Sequence, residues 1–203
     1  MNVLVTGGAV SGKSAFAEHL ACELSSARIY CATMRADGEE AQRRIVRHRT
    51  QREGLGFVTV ERASSLIGDE RCVGAAAESC GGDTLDGPWS FGGTYRGVVL
   101  VEDLGNLVAN ALFCDDGQMA DPASVLRRLE SEVFELAGRC EHVVVVGNEV
   151  GCEGRSPYEG VRAWVRVLGA LCCRIVARFD VVVEVSAGIP CVVKGELPGG
   201  DVA

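Results

Sequence analysis

Three features of this 203-residue sequence predict an α/β fold in which a mostly parallel central sheet is flanked by helices. Short β-branched runs alternate with longer helical patterns along the chain, which is typical of parallel α/β proteins. Only 5% of the residues are aromatic while 26 are glycine, a composition that favours an open α/β sheet over a β-sandwich. The first apolar run also passes through a glycine-rich turn directly into a helical pattern.

Each element follows from a local pattern of side chains. Apolar and β-branched runs predict strands at 2–6, 28–33, 57–61, 97–104, 142–151, 180–188 and 191–194. The segments between them predict helices at 12–25, 38–50, 106–113, 121–139 and 158–178. Polar and apolar positions alternate in the third strand, so we expect that strand at an edge of the sheet or partly exposed.

The whole chain, residues 1–203, is expected to form a single domain. Its length is sufficient for one substantial hydrophobic core, and no internal repeat divides it. Residues 68–96 are rich in glycine and small side chains and show no clear period. That stretch is therefore predicted to be a loop or an insertion in the domain.

Charge and hydropathy exclude several classes of protein. The formal net charge is -8 and the isoelectric point is about 5.0, which argues against a broad nucleic-acid surface. No apolar stretch reaches 18 residues, so no membrane span is expected. The first apolar run is short and lacks a positively charged flank, unlike a signal peptide. We therefore expect a cytoplasmic protein.

Ten cysteines are spread along the chain, and none of them forms a C-x-x-C pair. That spacing disfavours a zinc site, and the size of the chain disfavours a disulfide-stapled scaffold. We expect most of these cysteines to be small buried apolar residues.

A phosphate-binding loop follows the first predicted strand. Residues 7–14, "GGAVSGKS", match the pattern G-x-x-x-x-G-K-[ST] between a strand and a helix, which is the context that the motif requires. Backbone N–H groups of such a loop surround phosphate oxygens at a helix N-terminus. Lys13 is predicted to bind the β- and γ-phosphates, and Ser14 to bind Mg²⁺. The domain is therefore predicted to bind a nucleoside triphosphate.

Polar residues follow two other buried strands. Glu102 ends the strand "VVLVE" and is predicted to hold Mg²⁺ or its waters beside Ser14, whereas the next residue, Asp103, suits a helix cap better. Asn148 and Glu149 follow the run "VVVV" and are expected at the same edge of the sheet. For those two residues a capping or turn role is an equal alternative.

One histidine lies among arginines. His48 is part of "RRIVRHRTQR", residues 43–52, whereas His19 and His142 have the settings of surface or structural residues. A basic helix face is most often simply solvated. Arginines beside an imidazole are also suited to holding a triphosphate while the imidazole attacks phosphorus. The residues alone leave both interpretations open.

Taken together, these segments resemble the bifunctional adenosylcobinamide kinase / adenosylcobinamide-phosphate guanylyltransferase family of cobalamin biosynthesis. The resemblance covers nearly the whole chain outside 68–96 and depends on the order of seven segments, of which the phosphate loop alone is unspecific. One departure lies in that loop, where Val10 replaces a common arginine. The segments are "LVTGGAVSGKS", "YCAT", "RIVRHRTQR", "VTVE", "VVLVEDLGNLVANALF" with Asn110, "NEVG", and "VSAGIP" followed by Lys194.

The resemblance implies a RecA-like P-loop NTPase fold and two reactions. ATP or GTP phosphorylates the aminopropanol hydroxyl of adenosylcobinamide, and GMP then passes from GTP to the product through a guanylyl-histidine. His48 matches the nucleophile, Lys13 is the second catalytic residue, Ser14 and Glu102 are the Mg²⁺ ligands, and a homotrimer is expected. The implied nucleotide-binding residues are Gly7, Gly8, Ala9, Val10, Ser11, Gly12, Lys13, Ser14, Thr33, Met34, Arg35, Arg49, Thr50, Gln51, Arg52, Glu61 and Glu102.

Two alternatives remain at this point. A P-loop kinase of another small hydroxylated substrate would need the phosphate loop but neither His48 nor its arginines. A nucleotide-binding module without turnover would bind the triphosphate and catalyse neither reaction.

Overall fold

A computed structural model describes residues 1–35, 38–67, 94–113, 117–150 and 156–198 of the chain. Within these residues the strands are β1 (Asn2–Thr6), β2 (Arg28–Ala32), β3 (Phe57–Glu61), β4 (Tyr95–Glu102), β5 (Cys140–Val146), β6 (Val181–Ser186) and β7 (Ile189–Lys194). The helices are α1 (Lys13–Leu24), α2 (Gly38–Gln51), α3 (Leu104–Leu112), α4 (Pro122–Arg139) and α5 (Glu159–Arg178).

The strands form one sheet in the order β3-β2-β4-β5-β1-β6-β7. All neighbours pair in parallel except β6 and β7, which form an antiparallel pair at one edge. This topology confirms the predicted α/β class with a mostly parallel sheet. It also confirms that the alternating third strand lies at an edge.

Helices cover both faces of this sheet, because its buried strands are apolar at successive positions. Val3 and Val5 pack against α1, which contributes Ala17 and Leu20 to the same cluster. Leu4, which lies between them in sequence, points to the opposite face, where α3, α4 and α5 pack. Side chains alternate across a strand, so continuous apolar runs are what a sheet covered on both faces requires.

Several boundaries differ from the predicted ones. β4 begins at Tyr95, so residues 95 and 96 belong to the sheet and not to the insertion predicted at 68–96; residues 68–93 lie outside the described part of the chain. β5 ends at Val146, and the Gly147 N–H donates to the carbonyl of Val5 as the chain leaves the sheet. Because β1 and β5 run parallel, the residues that follow β5 lie beside the phosphate loop that follows β1.

The expectation that most cysteines are buried is only partly right. Cys31 and Cys140 are buried in the core, but Cys173 and Cys191 are exposed. The six cysteines of the described residues are all free thiols. None of the helices in the described ranges is long and apolar enough to cross a membrane.

Candidate active site

A cleft of about 600 Å³ lies at the carboxyl ends of the central strands, between the loop that precedes α1 and helix α2. Open α/β sheets bind ligands at this edge, since loops from several strands converge there. The lining residues are Ala9, Val10, Ser11, Gly12, Lys13, Ser14, Ala15, Tyr30, Ala32, Met34, Ile45, Arg47, His48, Arg49, Arg52, Thr59, Glu61, Glu102, Asp103, Asn106 and Asn148.

We divide this lining into two parts. The phosphate-loop end comprises residues 9–15 together with Glu102, Asp103, Asn106 and Asn148. The α2 end comprises the side chains from α2 and the residue after it, Arg52, together with those of β2 and β3 that face them.

The phosphate loop adopts a conformation that its glycines permit. Gly7 has φ of 157°, and a Cβ there would lie 2.4 Å from the carbonyl oxygen of Val185. The Lys13 ammonium donates to the carbonyl of Gly8 at 3.1 Å, so the lysine side chain folds back over the loop. Val10 has φ of 58°, an unusual value for a β-branched residue, and its side chain is fully exposed. The loop is thus shaped to surround an anion at the start of α1.

Glu102 and Ser14 meet across the floor of the cleft. The Ser14 hydroxyl donates to Glu102 Oε1 at 2.6 Å. Burial raises the pKa of Glu102 to about 7; Asp103 and Glu18 act in the same direction, while the Ser14 hydrogen bond and Lys13 oppose them. The other carboxylate oxygen, Oε2, is buried without a hydrogen-bond partner.

This pair fits a divalent cation. Hydroxyl and carboxylate oxygens are the ligands that Mg²⁺ prefers, and an unpartnered buried carboxylate oxygen is stabilised by a cation. No group of three or more His, Cys, Asp or Glu side chains in the described residues could hold a metal ion by itself. Ser14 and Glu102 therefore suit a cation that takes its remaining ligands from phosphate and water.

Helix α2 brings His48 to the opposite wall of the cleft. His48 is half-buried, and Arg47 and Arg49 beside it are exposed. The Arg49 guanidinium pairs with Glu61 Oε1 at 3.0 Å, and both side chains are more than half exposed. This ion pair joins α2 to the carboxyl end of β3, although exposed pairs of this kind stabilise a fold only weakly.

Arg52, the residue after α2, is the buried anchor of this wall. Its guanidinium lies 3.4 Å from the centroid of the Tyr30 ring, and its Nη1 lies 3.7 Å from Glu18 Oε1. The side chains of Arg52 and Glu18 are only 6% and 11% exposed. Burial raises the pKa of Glu18, and the neighbouring Arg52 opposes that shift. Arg52 thus connects α2 to both β2 and α1.

Buried polar side-chain atoms without a hydrogen-bond partner are concentrated in this cleft. Seven such side-chain atoms occur in the described residues, and four belong to residues that line the cleft. They are Ser11 Oγ, Arg52 Nη1, Glu102 Oε2 and Asn148 Oδ1, of which Arg52 Nη1 has an ion pair with Glu18 but no hydrogen bond. Buried polar groups without partners are costly, so their clustering indicates a site that a polar ligand completes.

Most of the predicted site residues meet in the cleft. Those that line it are Ala9, Val10, Ser11, Gly12, Lys13, Ser14, Met34, His48, Arg49, Arg52, Glu61 and Glu102. Those that do not line it are Gly7, Gly8, Thr33, Arg35 and Thr50. Gln51, which was also predicted, is the last residue of α2.

Thr33 has a structural role in the described geometry. Its hydroxyl donates to the carbonyl of Glu102 at 2.9 Å and accepts from the N–H of Asp103 at 2.8 Å. Asn110 in turn donates to the carbonyls of Thr33 and Ala63. These bonds fix the end of β4 and so support the position of Glu102.

The sequence did not single out Tyr30, Ile45, Thr59 or Asn106 as site residues, and it included Arg47 only among the arginines around His48. Thr59 lies two positions before Glu61 on β3, so the period of a strand could have placed both on one face. Tyr30 carried no such signal, because its role depends on the contact with Arg52. His19 and His142, predicted to be surface or structural, lie near Glu23 and the amino terminus respectively.

Comparisons with known proteins find matches that extend over most of this chain. A family model described as cobinamide kinase / cobinamide phosphate guanyltransferase matches residues 3–72 and 91–193. The bifunctional adenosylcobalamin biosynthesis protein CobP of Pseudomonas aeruginosa is 34% identical over 196 residues, which cover 97% of this chain and 99% of that protein. The bifunctional adenosylcobalamin biosynthesis protein CobU of Escherichia coli is 33% identical over 160 residues, 74% of this chain and 76% of that protein.

Proposed function

This chain belongs to the cobinamide kinase / cobinamide phosphate guanyltransferase family of enzymes, and on that premise we propose that it performs two reactions in one cleft. In the first, the γ-phosphate of ATP or GTP passes to the aminopropanol hydroxyl of adenosylcobinamide. In the second, GMP passes from GTP to adenosylcobinamide phosphate through His48, which gives adenosylcobinamide-GDP.

The observation that supports both reactions is the presence of His48 and a phosphate loop in the same cleft. A kinase needs the phosphate loop, an acidic residue beside it and a place for the acceptor. It has no need of a histidine among arginines on the facing helix. A nucleotidyl transfer through a covalent intermediate does need such a nucleophile, close to the α-phosphate of the bound GTP.

In the phosphoryl transfer, the protein binds and orients the triphosphate. The backbone N–H groups of the loop and the Lys13 ammonium bind the β- and γ-phosphates, which requires Lys13 to leave the carbonyl of Gly8. Ser14 and Glu102 would hold Mg²⁺, which neutralises charge on the phosphate oxygens. Most of the catalysis in such a site comes from position and electrostatics.

In the guanylyl transfer, a ring nitrogen of His48 bonds to the α-phosphorus of GTP. The bond from that phosphorus to the α–β bridging oxygen breaks, and pyrophosphate leaves with the electron pair. The other ring nitrogen releases its proton to solvent. A phosphate oxygen of adenosylcobinamide phosphate then attacks the same phosphorus, the electron pair of the P–N bond returns to the imidazole, and a ring nitrogen regains a proton from solvent.

The arginines of the α2 end surround this exchange with positive charge. Arg47 and Arg49 flank His48 in sequence, and Arg52 lines the cleft from a buried position. Guanidinium groups bind phosphate oxygens in a bidentate manner and stay charged throughout. The homotrimer implied by the family resemblance and the cytoplasmic location expected from charge and hydropathy stay predictions.

Protein labelling tests this function. We expect the protein with Mg²⁺ and GTP labelled at the α-phosphate to acquire label that is acid-labile and base-stable, as a phosphoramidate is. The label should be absent from His48→Ala and unchanged in His19→Ala, a matched control at an exposed histidine of α1. Phosphorylation of adenosylcobinamide without any protein label would leave only the kinase, and binding without either reaction would contradict both.

A further inference from the structure

Beyond the loop and His48, the cleft has a set of polar side chains at the ends of β4 and β5 with no assigned task. Asp103, Asn106 and Asn148 line the phosphate-loop end next to Glu102. Asp103 caps α3, because its Oδ1 accepts from the backbone N–H of Asn106 at 2.7 Å. This cap uses one carboxylate oxygen of Asp103, and it does not involve the side chain of Asn148.

Asn148 is held between the phosphate loop and the start of α3. The backbone N–H of the next residue, Glu149, donates to the carbonyl of Gly7 at 3.2 Å. A Cβ on Gly105 would lie 3.1 Å from Asn148 Nδ2 and 3.2 Å from Asp103 Oδ1. The Asn148 amide and the Asp103 carboxylate therefore meet over Gly105, and Asn148 Oδ1 is buried without a hydrogen-bond partner.

This position lies at the end of the cleft where a loop of this type binds the terminal phosphates. In such loops the lysine, here Lys13, binds the β- and γ-phosphates, and the hydroxyl of Ser14, which would hold Mg²⁺, lies 2.6 Å from Glu102 Oε1. Asp103 is the residue after Glu102, and Asn148 follows β5, the strand between β4 and the strand of the loop. His48 lies on the other wall, on α2.

We propose that Asp103 and Asn148 form the acceptor-arm site, which binds the aminopropanol arm of the corrinoid and holds its hydroxyl against the γ-phosphate. The inference rests on the proposed kinase function. The arm carries two hydrogen-bond donors on adjacent carbons, an amide N–H and the reacting O–H. The site offers two acceptors on side chains that both lie against Gly105, the second carboxylate oxygen of Asp103 and the amide oxygen of Asn148, which is buried without a hydrogen-bond partner.

In the reaction, the hydroxyl donates to Asn148 Oδ1, which turns an oxygen lone pair towards the γ-phosphorus. The new O–P bond forms as the bond to the β–γ bridging oxygen breaks, and the nucleoside diphosphate leaves with that electron pair. The hydroxyl proton passes to an oxygen of the transferred phosphoryl group. Asp103 takes no proton and acts only by holding the neighbouring N–H. Asn148 is thus a catalytic residue that orients the acceptor hydroxyl, and Asp103 mainly binds the substrate.

Two substitutions separate these tasks. Asn148→Ala should lower kcat for phosphorylation of adenosylcobinamide about 30-fold, since a misplaced acceptor reacts slowly. Asp103→Asn should raise the KM for adenosylcobinamide about tenfold with a smaller effect on kcat. Asn caps a helix as well as Asp does, so this variant should keep the melting temperature of the wild type. In both variants the rate of guanylylation of His48 should change less than threefold.

The matched control is Glu149→Gln, because Glu149 is exposed and its backbone N–H, rather than its side chain, bonds to Gly7. We expect both reactions within twofold of wild type in this variant. Equal losses of kinase activity, of nucleotide affinity and of acceptor-free nucleotide hydrolysis in Asn148→Ala would assign Asn148 to the nucleotide and overturn the proposal. Unchanged kinase kinetics in both variants would also overturn it. A wild-type protein that phosphorylates no corrinoid would instead refute the proposed function itself.

Discussion

The two ends of the cleft are built in different ways. The phosphate-loop end belongs to the sheet: Gly7 packs against Val185, Ser14 bonds to Glu102, and Thr33 fixes the end of β4. The α2 end stands on a highly charged helix whose exposed Arg49 forms a salt bridge with Glu61, and Arg52, the residue after that helix, is buried against Tyr30 and Glu18. The phosphate-loop end is thus built on the sheet, whereas the proposed nucleophile, His48, is carried by a helix whose described side chains are exposed or half-buried.

This difference suggests that the two reactions are separable by mutation. A change at the α2 end should remove one reaction and leave the other, because kinase chemistry needs only the phosphate-loop end. A change in the loop should remove both, because each reaction is proposed to use a triphosphate bound in that loop.

The largest effect is expected for His48→Ala. Loss of a covalent nucleophile should lower guanylyl transfer by more than about 10⁴-fold. Phosphorylation of adenosylcobinamide should stay within about fivefold of wild type, as His48 lies outside the phosphate-loop end. Steady-state assays of both products, with each nucleotide, measure the two rates. A parallel loss of the kinase reaction would show that the ends are not separable.

The next largest effect is expected for Lys13→Ala, which should damage both reactions. Removing one preorganised charge from a phosphate site costs on the order of 10²–10³-fold in rate. The same two assays apply, and Lys194→Ala provides a control, because that ammonium donates to the carbonyls of Val176 and Phe179 far from the loop. Retention of guanylyl transfer in Lys13→Ala would mean that the second nucleotide binds elsewhere.

Arg52→Ala should loosen the α2 end by removing its buried anchor. The substitution leaves Glu18 buried without its cation and removes the contact with Tyr30, so we expect a loss of about 3 kcal/mol in unfolding free energy. Because burial raises the pKa of Glu18, the loss should be greater at pH 8 than at pH 5. Denaturant unfolding at the two pH values measures it.

Adding Glu18→Gln to Arg52→Ala should recover part of this stability at pH 8. A deficit that is equal at both pH values, with no recovery in the double variant, would show that the packing on Tyr30 rather than the ion pair anchors α2.

Glu102→Gln should stabilise the protein without ligands and destabilise the protein with Mg²⁺ and nucleotide bound. The pKa of Glu102 is about 7 against an ordinary 4.5, so the folded protein binds the proton more tightly than the unfolded chain. Stability of the wild type without metal should therefore fall as pH rises through this interval. The variant avoids that fall and should be more stable at pH 8 by about 3 kcal/mol.

With Mg²⁺ and nucleotide the order should reverse, because the variant loses a carboxylate ligand for the cation. Melting temperatures with EDTA and with Mg²⁺ and GTP provide both comparisons. A variant that is less stable than wild type in EDTA would contradict this account of the buried carboxylate.

The sequence predicted the phosphate-loop end better than the α2 end for a physical reason. The loop is one contiguous stretch, and Glu102 follows a single apolar run, so local patterns sufficed for both. Asn148 was expected at the same edge of the sheet, but its place beside the phosphate loop depends on β5 lying between β4 and β1, an order that no local pattern determines. Tyr30 joins the site only through its contact with Arg52.

Strand ends were predicted less well than strand centres. The apolar run of β5 was extended to residue 151, but the chain leaves the sheet after Val146, where Gly147 bonds to Val5. The start of β4 was placed at residue 97, because Tyr95 and Arg96 follow a glycine-rich stretch without a clear pattern. Such ends depend on the length of the neighbouring strand, which is a tertiary property.

The most direct test of the central claim is to map the attached nucleotide. The wild-type protein, incubated with Mg²⁺ and GTP and kept at neutral to basic pH, would be digested and its peptides analysed by tandem mass spectrometry. We predict one GMP unit, attached through a P–N bond to the peptide that contains His48, and its disappearance when adenosylcobinamide phosphate is added. GMP on any other residue, or GMP on His48 that the corrinoid does not remove, would contradict the account.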